Sequence, residues 1–148
     1  MPSSVIVAAK QGLVALLEAH GLLSAVQVSY GWPGDDQAAD EIIFTADART
    51  VEHEPSGLRA GRTYYHEKAQ FDVIVQVVGY GSTAEEVEIR CLALAHIVAQ
   101  VVADNRTLGG VSGVQAAKGT GWVLANRYND RGTLAELRYT VEYDARLT

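Results

Sequence analysis

QFDVIVQVVGYGSTAEEVEIRCLALAHIVAQVVAD, residues 70–104, decides the fold. Phe71, Val73, Val75 and Val77 recur at every second residue, the period of a strand with one buried face. Ile74 and Val78 keep the opposite face partly apolar, which places the strand inside its sheet. After Gly79 and Gly81 the period changes. Thr83 and Glu86 have the spacing of a capping box, in which hydroxyl and carboxylate each satisfy a free backbone N–H. Val87, Cys91, Leu94, Val98 and Val101 then follow at steps of three and four, a helical stripe expected to lie on the sheet that contains residues 70–78.

Toward the N-terminus, Ser3 or Ser4 can cap a helix over about residues 4–20, with Ile6, Ala9, Leu13, Leu16 and Leu17 as its apolar stripe. Gly21 is the expected terminator, and Leu22 and Leu23 are expected to tuck the exit under the core. Residues 25–30 alternate as a short strand that stops at Gly31-Trp32-Pro33-Gly34, a strong turn signal. Asp35, Asp36, Asp40 and Glu41 crowd the next loop, and 41–45 (EIIFT) resumes as a strand. Residues 47–63, DARTVEHEPSGLRAGRT, hold Pro55, Gly57 and Gly61 together with Arg49, Arg59 and Arg62. They read as a long arm or hairpin, of a length that in a compact domain usually serves a function. Residues 64–68 then lead into the central strand.

Beyond the second helix, residues 104–110 form a turn, and three strand candidates follow at 114–118, 122–128 and 134–147. Asn129-Asp130-Arg131-Gly132 makes a hairpin of the last two. In the final strand Ala135, Leu137, Tyr139, Val141, Tyr143, Ala145 and Leu147 face one way, and Glu136, Arg138, Thr140, Glu142, Asp144 and Arg146 the other. A slip of one residue would put every apolar side chain in water, so its register is tightly specified. The expected architecture is a single α+β domain over residues 1–148, a mostly antiparallel sheet covered on one face by two helices, with a long extended arm or hairpin.

The chain has 148 residues, is 48% hydrophobic and carries a net charge of −6. Its size supports a core without metal or disulfide staples, and its charge argues against sequence-independent DNA binding, which needs clustered Lys and Arg. A single cysteine, Cys91, excludes an intramolecular disulfide and fits a reducing compartment. No stretch reaches the roughly 18 apolar residues of a membrane span. The opening MPSSVIVAAKQGL lacks a basic region, so no secretory signal is expected. A soluble, cytosolic chain is the expectation.

Four stretches carry residue types that could do chemistry. Gly79-Tyr80-Gly81-Ser82-Thr83-Ala84 fits a loose dinucleotide fingerprint, but no βαβ alternation surrounds it, and the plain reading is a turn whose glycines relieve the backbone. His53-Glu54 and His66-Glu67 lack the second His four residues on that a zinc helix requires, and read as solvated strand or arm residues. Ser112 sits one residue short of a nucleophile elbow, and His96 lies about 140° around the helix from Cys91. The carboxylates of residues 35–41 could hold a divalent cation, but a charge cluster on a loop is ordinarily hydrated. No catalytic residue, metal ligand or cofactor is assigned.

Taken in order, the pieces resemble a known family. A leading helix precedes a strand ending in Gly-x-Pro (Gly31-Trp32-Pro33), followed by the EIIF strand, the Arg/Gly-rich arm, and an E-x-x-x-F-x-V-x-V strand through Glu67, Phe71, Val73 and Val75. A helix opening Ala84-Glu85-Glu86-Val87 leads to Leu108-Gly109-Gly110, and a long alternating strand ends the chain. The chain looks like the tail-terminator (tail-completion) proteins of long-tailed bacteriophages, a likeness carried by order and length over nearly the whole sequence. It implies a non-enzymatic virion protein at the head–tail junction, assembled in the bacterial cytoplasm. A homo-hexameric ring would cap the tail tube, end its polymerisation and meet the major tail tube protein and the head's connector or stopper. DNA would pass through without specific binding. In that setting the 47–63 arm would reach a neighbour or the tube, with Arg49, Arg59 and Arg62 at the interface, and Glu136, Glu142 and Asp144 would line the opening. The rival readings are another connector component, such as a stopper or adaptor, and a small ligand-binding protein that uses the Gly79–Ala84 turn.

Overall fold

The computed structural model describes residues 3–34, 39–59, 62–79, 82–129 and 132–147. In chain order it contains α1 (Ile6–Glu18), a 3-10 turn (Gly21–Leu23), β1 (Gln27–Ser29), β2 (Glu41–Arg59), β3 (Arg62–Gly79), α2 (Ala84–Asp104), β4 (Lys118–Asn129) and β5 (Gly132–Leu147). The five strands form one sheet in the order β1-β2-β3-β5-β4, antiparallel throughout except for the short β1–β2 pair. The expected α+β architecture is the one observed.

The central strand is β3, paired with β2 from Glu41↔Val77 to Arg59↔Arg62 and with β5 from Gly79↔Thr133 to Tyr65↔Leu147. Its odd-numbered residues Ala69, Phe71, Val73, Val75 and Val77 face the helices, and so do Leu137, Val141 and Tyr143 of β5. From α2, Val87, Cys91, Leu94, Val98 and Val101 descend onto them, and from α1 come Ala9, Leu13 and Leu17. Phe71 and Tyr143 touch at the centre with ring centroids 6.4 Å apart, an aromatic pair worth about 0.5–1.5 kcal/mol beyond its area burial. The opposite face, open of helices, has a small apolar cluster of its own: Ile42, Phe44 and Ile74, with Trp32 edge-on to Phe44.

Local chemistry explains the helix ends. Thr83 Oγ1 accepts the Glu86 N–H at 3.2 Å, the N-terminal half of the expected capping box. Ser4 Oγ accepts the Ile6 N–H at 3.1 Å and starts α1 two residues later than expected. Gly21 is not a left-handed cap. α1 closes on Ala19 in a right-handed conformation, and Gly21 opens the 3-10 turn. Of the two leucines in that turn only Leu23 is buried, whereas Leu22 stands in solvent.

Of the arm or hairpin expected over residues 47–63, the hairpin is the form observed: β2 runs on through bulges at Thr45/Ala48 and Ala48/Thr50 and pairs with β3 as far as Arg59. Only the part beyond Pro55↔Tyr65 projects past the end of β5. One further expectation is corrected. Residues 114–118 are not a strand; Val114 makes one isolated bridge to Ala145, and the sheet resumes at Lys118.

After α2 the chain returns through Leu108-Gly109-Gly110, three successive residues at positive φ (54°, 82° and 87°). Left-handed backbone costs a non-glycine residue about 1 kcal/mol, and here it drives Leu108 into full burial against α1. α1 can approach because residue 12 is glycine. A Cβ there would collide with the Leu108 carbonyl oxygen and stand 2.7 Å from Val111 Cγ2. Gly12→Ala is therefore expected to destabilise by about 1–3 kcal/mol through overpacking, whereas Gly21→Ala, with nothing within 4 Å, should leave the melting temperature nearly unchanged. Paired thermal melts of the two variants check this.

Candidate functional site

The polar chemistry of the chain gathers on β3, at two buried carboxylates five residues apart and hence on opposite faces of the sheet. Glu67 shares the odd parity of Phe71 and Val73 and is carried into the core beneath the start of α1, where its side chain is fully buried. Donors from several elements converge on it. Tyr143 Oη of β5 donates to Oε1 at 2.5 Å, the Val5 N–H donates to the same oxygen at 3.2 Å, and His53 Nε2 of β2 lies 2.7 Å from Oε2. Burial pushes its pKa up, but the hydrogen bonds from Tyr143, His53, Ser4 and Val5 outweigh it and hold the carboxyl below its ordinary range. The Tyr143 hydroxyl, buried and beside that carboxylate, is pushed the other way, well above the usual phenol.

Asp72 lies on the open face and is 2% exposed. Arg49 Nε of β2 donates to both of its oxygens at 2.8 and 2.9 Å, Arg138 Nη1 of β5 donates at 2.8 Å and Thr140 Oγ1 at 2.9 Å. Burial again raises the pKa, and again the hydrogen bonds of Arg138, Arg49 and Thr140 prevail and lower it. Both carboxylates are held ionised by donors from the strands on either side and, for Glu67, from the Val5 N–H ahead of α1. Such groups tie neighbouring strands together.

The other sequence candidates fall as follows. Arg49 is bound by Asp72 of its own chain. Arg59 and Arg62 face each other as a backbone pair at the hairpin's end, and their side chains lie outside the described residues. Glu136, Glu142 and Asp144 do share the open face, but they alternate there with Arg138 and Arg146. Glu142 accepts from Gln70 Nε2 at 3.0 Å, and Asp144 stands across from Lys68. Of the two His-Glu dipeptides expected to be solvated, Glu54 is exposed and His53 and His66 are half-buried, but Glu67 is not solvated. The antiparallel register sets His53 against Glu67 and His66 against Glu54, and Glu67 is sealed in.

Asp35 and Asp36 lie outside the described residues; in the same acidic run, Glu41 takes two hydrogen bonds from Arg90, at 2.5 and 3.0 Å. Tyr80 and Gly81 of the glycine turn also lie outside them. Gly79 is required sterically, since a Cβ there would sit 2.5 Å from Val87 Cγ1. Cys91 is buried with its thiol 3.4 Å from the Val75 carbonyl oxygen, and burial pushes its pKa up to about 12, an inert core thiol. His96 points to solvent away from it. Among the described residues no group of three or more His, Cys, Asp or Glu side chains could hold a metal ion, and no helix is long and apolar enough to cross a membrane.

One surface had no sequence signal. β4 lies at the sheet's edge with Trp122, Val123 and Tyr128 between 56% and 81% exposed. Between it and α2 runs a groove lined by Leu92, Ala95, His96, Trp122 and Tyr139.

No protein-family model matches the chain, and no curated protein matches it. Among solved structures it is similar to a chain of the virion of native gene transfer agent (GTA) particle, at 14% identity and a TM-score of 0.47. That alignment covers 97% of this chain and 98% of the other.

The carboxylate geometry sets a pH dependence. A carboxyl whose folded pKa lies below its unfolded value stabilises the fold above the unfolded pKa and loses that contribution as pH falls through the folded one. Asp72→Asn is therefore expected to lower stability by about 2 kcal/mol near neutral pH, the scale of hydrogen bonds to a charged group. Below about pH 4 the variant should lose stability less steeply than the parent chain. Urea titrations from pH 2 to 7 read both effects.

Proposed function

We propose that the chain is a structural protein of a bacteriophage virion, a tail terminator whose six-membered ring caps the tail tube and joins it to the head connector. The observation that carries this reading is the β2–β3 hairpin. Beyond Pro55↔Tyr65 its two strands have only each other as partners among the described residues, so it projects from a sheet that is otherwise tied at every strand. A rigid body with a projecting ribbon suits a subunit that must reach its neighbour. Rings of this kind use heterologous contacts, in which one surface of a subunit meets a different surface of the next. The sequence resemblance, which runs through the same elements in the same order, supports the assignment.

In this reading the hairpin tip, with Arg59 and Arg62 in its sequence, contacts an adjacent subunit or the tube. The open face of the sheet, bearing Glu136, Glu142 and Asp144, lines the ring's opening, where its carboxylates repel passing DNA and let it slide. No catalysis and no cofactor is assigned to the chain.

Removing the gene from its virus and imaging the tails tests the role. Overlong tubes without heads are expected; tails of normal length would point instead to a stopper or adaptor. Deleting residues 56–61 should leave a folded protein, by circular dichroism and thermal melt, that yields no finished infectious particles. Recovery of infectious particles would remove the hairpin's role. Reversing the charge of Glu136, Glu142 and Asp144 together should slow DNA ejection, and unchanged ejection would overturn the lumen assignment alone.

A further inference from the structure

We propose that the free edge of β4 docks on the unpaired length of β2 in a second copy of this chain, as an antiparallel ladder. The inference rests on the ring reading above and specifies which surfaces meet.

The sheet has two unfinished edges. β1 covers β2 only at Ile42, Ile43 and Phe44, so from Thr45 onward the outer side of β2 has no strand partner among the described residues. On the far side β4 pairs with β5 alone. Exposed edges template pairing with another chain, and proteins ordinarily blunt them with charge, proline or a bulge. β4 has a bulge at Gly119/Gly121 and cations near its ends, but its middle, residues 121–126, carries neither charge nor proline. Trp122 is 56% and Val123 65% exposed there, and Val51 on the free part of β2 is 40% exposed.

Direction and charge both match. Three antiparallel steps separate β2 from β4, so β4 runs opposite to β2. Rotation about a ring axis repeats the sheet without inverting it. With the strands set along that axis, the β4 edge of one copy meets the β2 edge of the next in antiparallel sense, the stronger of the two ladders. β4, KGTGWVLANRYN, has two cations and no acidic residue in a chain of net charge −6. Residues 46–54 of β2, ADARTVEHE, bring Asp47, Glu52 and Glu54, and their one arginine, Arg49, is already held by Asp72. Opposite charges across strands favour the pairing and like charges oppose it, so β4 is steered to β2 and away from a second β4. Because each copy offers one edge of each kind, the contact propagates in one sense and ends only when a ring closes.

Cys91 is buried and is the chain's one cysteine, so introduced surface cysteines report alone. Gly121 and Val123 of β4 and Thr50, Glu52 and Glu54 of β2 all pair with residues of the open face. Gly121→Cys or Val123→Cys is combined in one chain with Thr50→Cys, Glu52→Cys or Glu54→Cys. These chains are oxidised both as free protein and within finished particles, beside the single variants. The expected result is a ladder of cross-linked species up to six copies for at least one β4/β2 pair, with single variants remaining monomeric on denaturing gels. A β4 variant that cross-links to itself would show a two-fold contact and overturn the proposal. Six-copy rings by native mass with no β4/β2 cross-link at any pair would overturn the edge contact and leave the ring reading standing. Absence of rings both in solution and in particles would remove both. Independently, Lys118→Glu with Arg127→Glu, folded by circular dichroism, should weaken self-association at least tenfold at low salt; unchanged association would contradict the charge match.

Discussion

A carboxylate taken out of water costs several kcal/mol unless donors replace the lost hydration. β3 carries two such groups, and each draws its donors from the strands on both sides. Glu67 needs His53 of β2, Tyr143 of β5 and the Val5 N–H at the head of α1. Asp72 needs Arg49 of β2 and both Arg138 and Thr140 of β5. Sliding either neighbour by one residue would send apolar side chains to the wrong face. Sliding by two would keep the faces and take from each carboxylate the donors that the displaced strand supplies. Hydrophobic alternation thus fixes the parity of the sheet, and the buried carboxylates fix the register within that parity.

That arrangement bears on assembly. The rigid part of the molecule is the triple β2–β3–β5, closed on one face by α1 and α2 and clamped on the other by the Asp72 group. What remains without a further strand partner among the described residues lies at its margins: the self-paired hairpin beyond Pro55, the outer side of β2 from Thr45 onward and the outer side of β4. In the proposed ring, such a subunit would offer its neighbours backbone edges held at fixed positions, whose ordering on assembly would cost little conformational entropy. The mixed signs on the open face, where Arg138 is already engaged by Asp72, leave a surface without the clustered cations that hold nucleic acid.

Much of this was legible in the sequence, for reasons tied to period. The alternation of Phe71–Val77 and of Ala135–Leu147, and the stripe from Val87 to Val101, each belong to elements whose burial is one-sided and regular. Residues 47–59 read only as part of an arm or hairpin, undecided between the two, because Pro55, Gly57 and a polar run erase the alternation. They become strand only by pairing with β3, a tertiary effect that local preference does not encode. Residues 114–118 erred the other way, apolar enough for a strand but given one bridge by the turn before them. The carboxylate clusters join residues 14 to 76 positions apart. One signal for them was present, since Glu67 sits at a core-parity position between Tyr65 and Ala69, where a charge must find partners. Which partners it finds depends on register, and no spacing in a single chain supplies that.

The most direct test of the register claim is a double-mutant cycle between Glu67 and Tyr143, read by urea denaturation at neutral pH for Glu67→Gln, Tyr143→Phe and the pair. If the carboxylate holds β3 to β5, the two changes should be non-additive by about 1–3 kcal/mol, the range for partners in one buried network. Additivity within about 0.3 kcal/mol would show that packing alone sets the register, and would contradict the account.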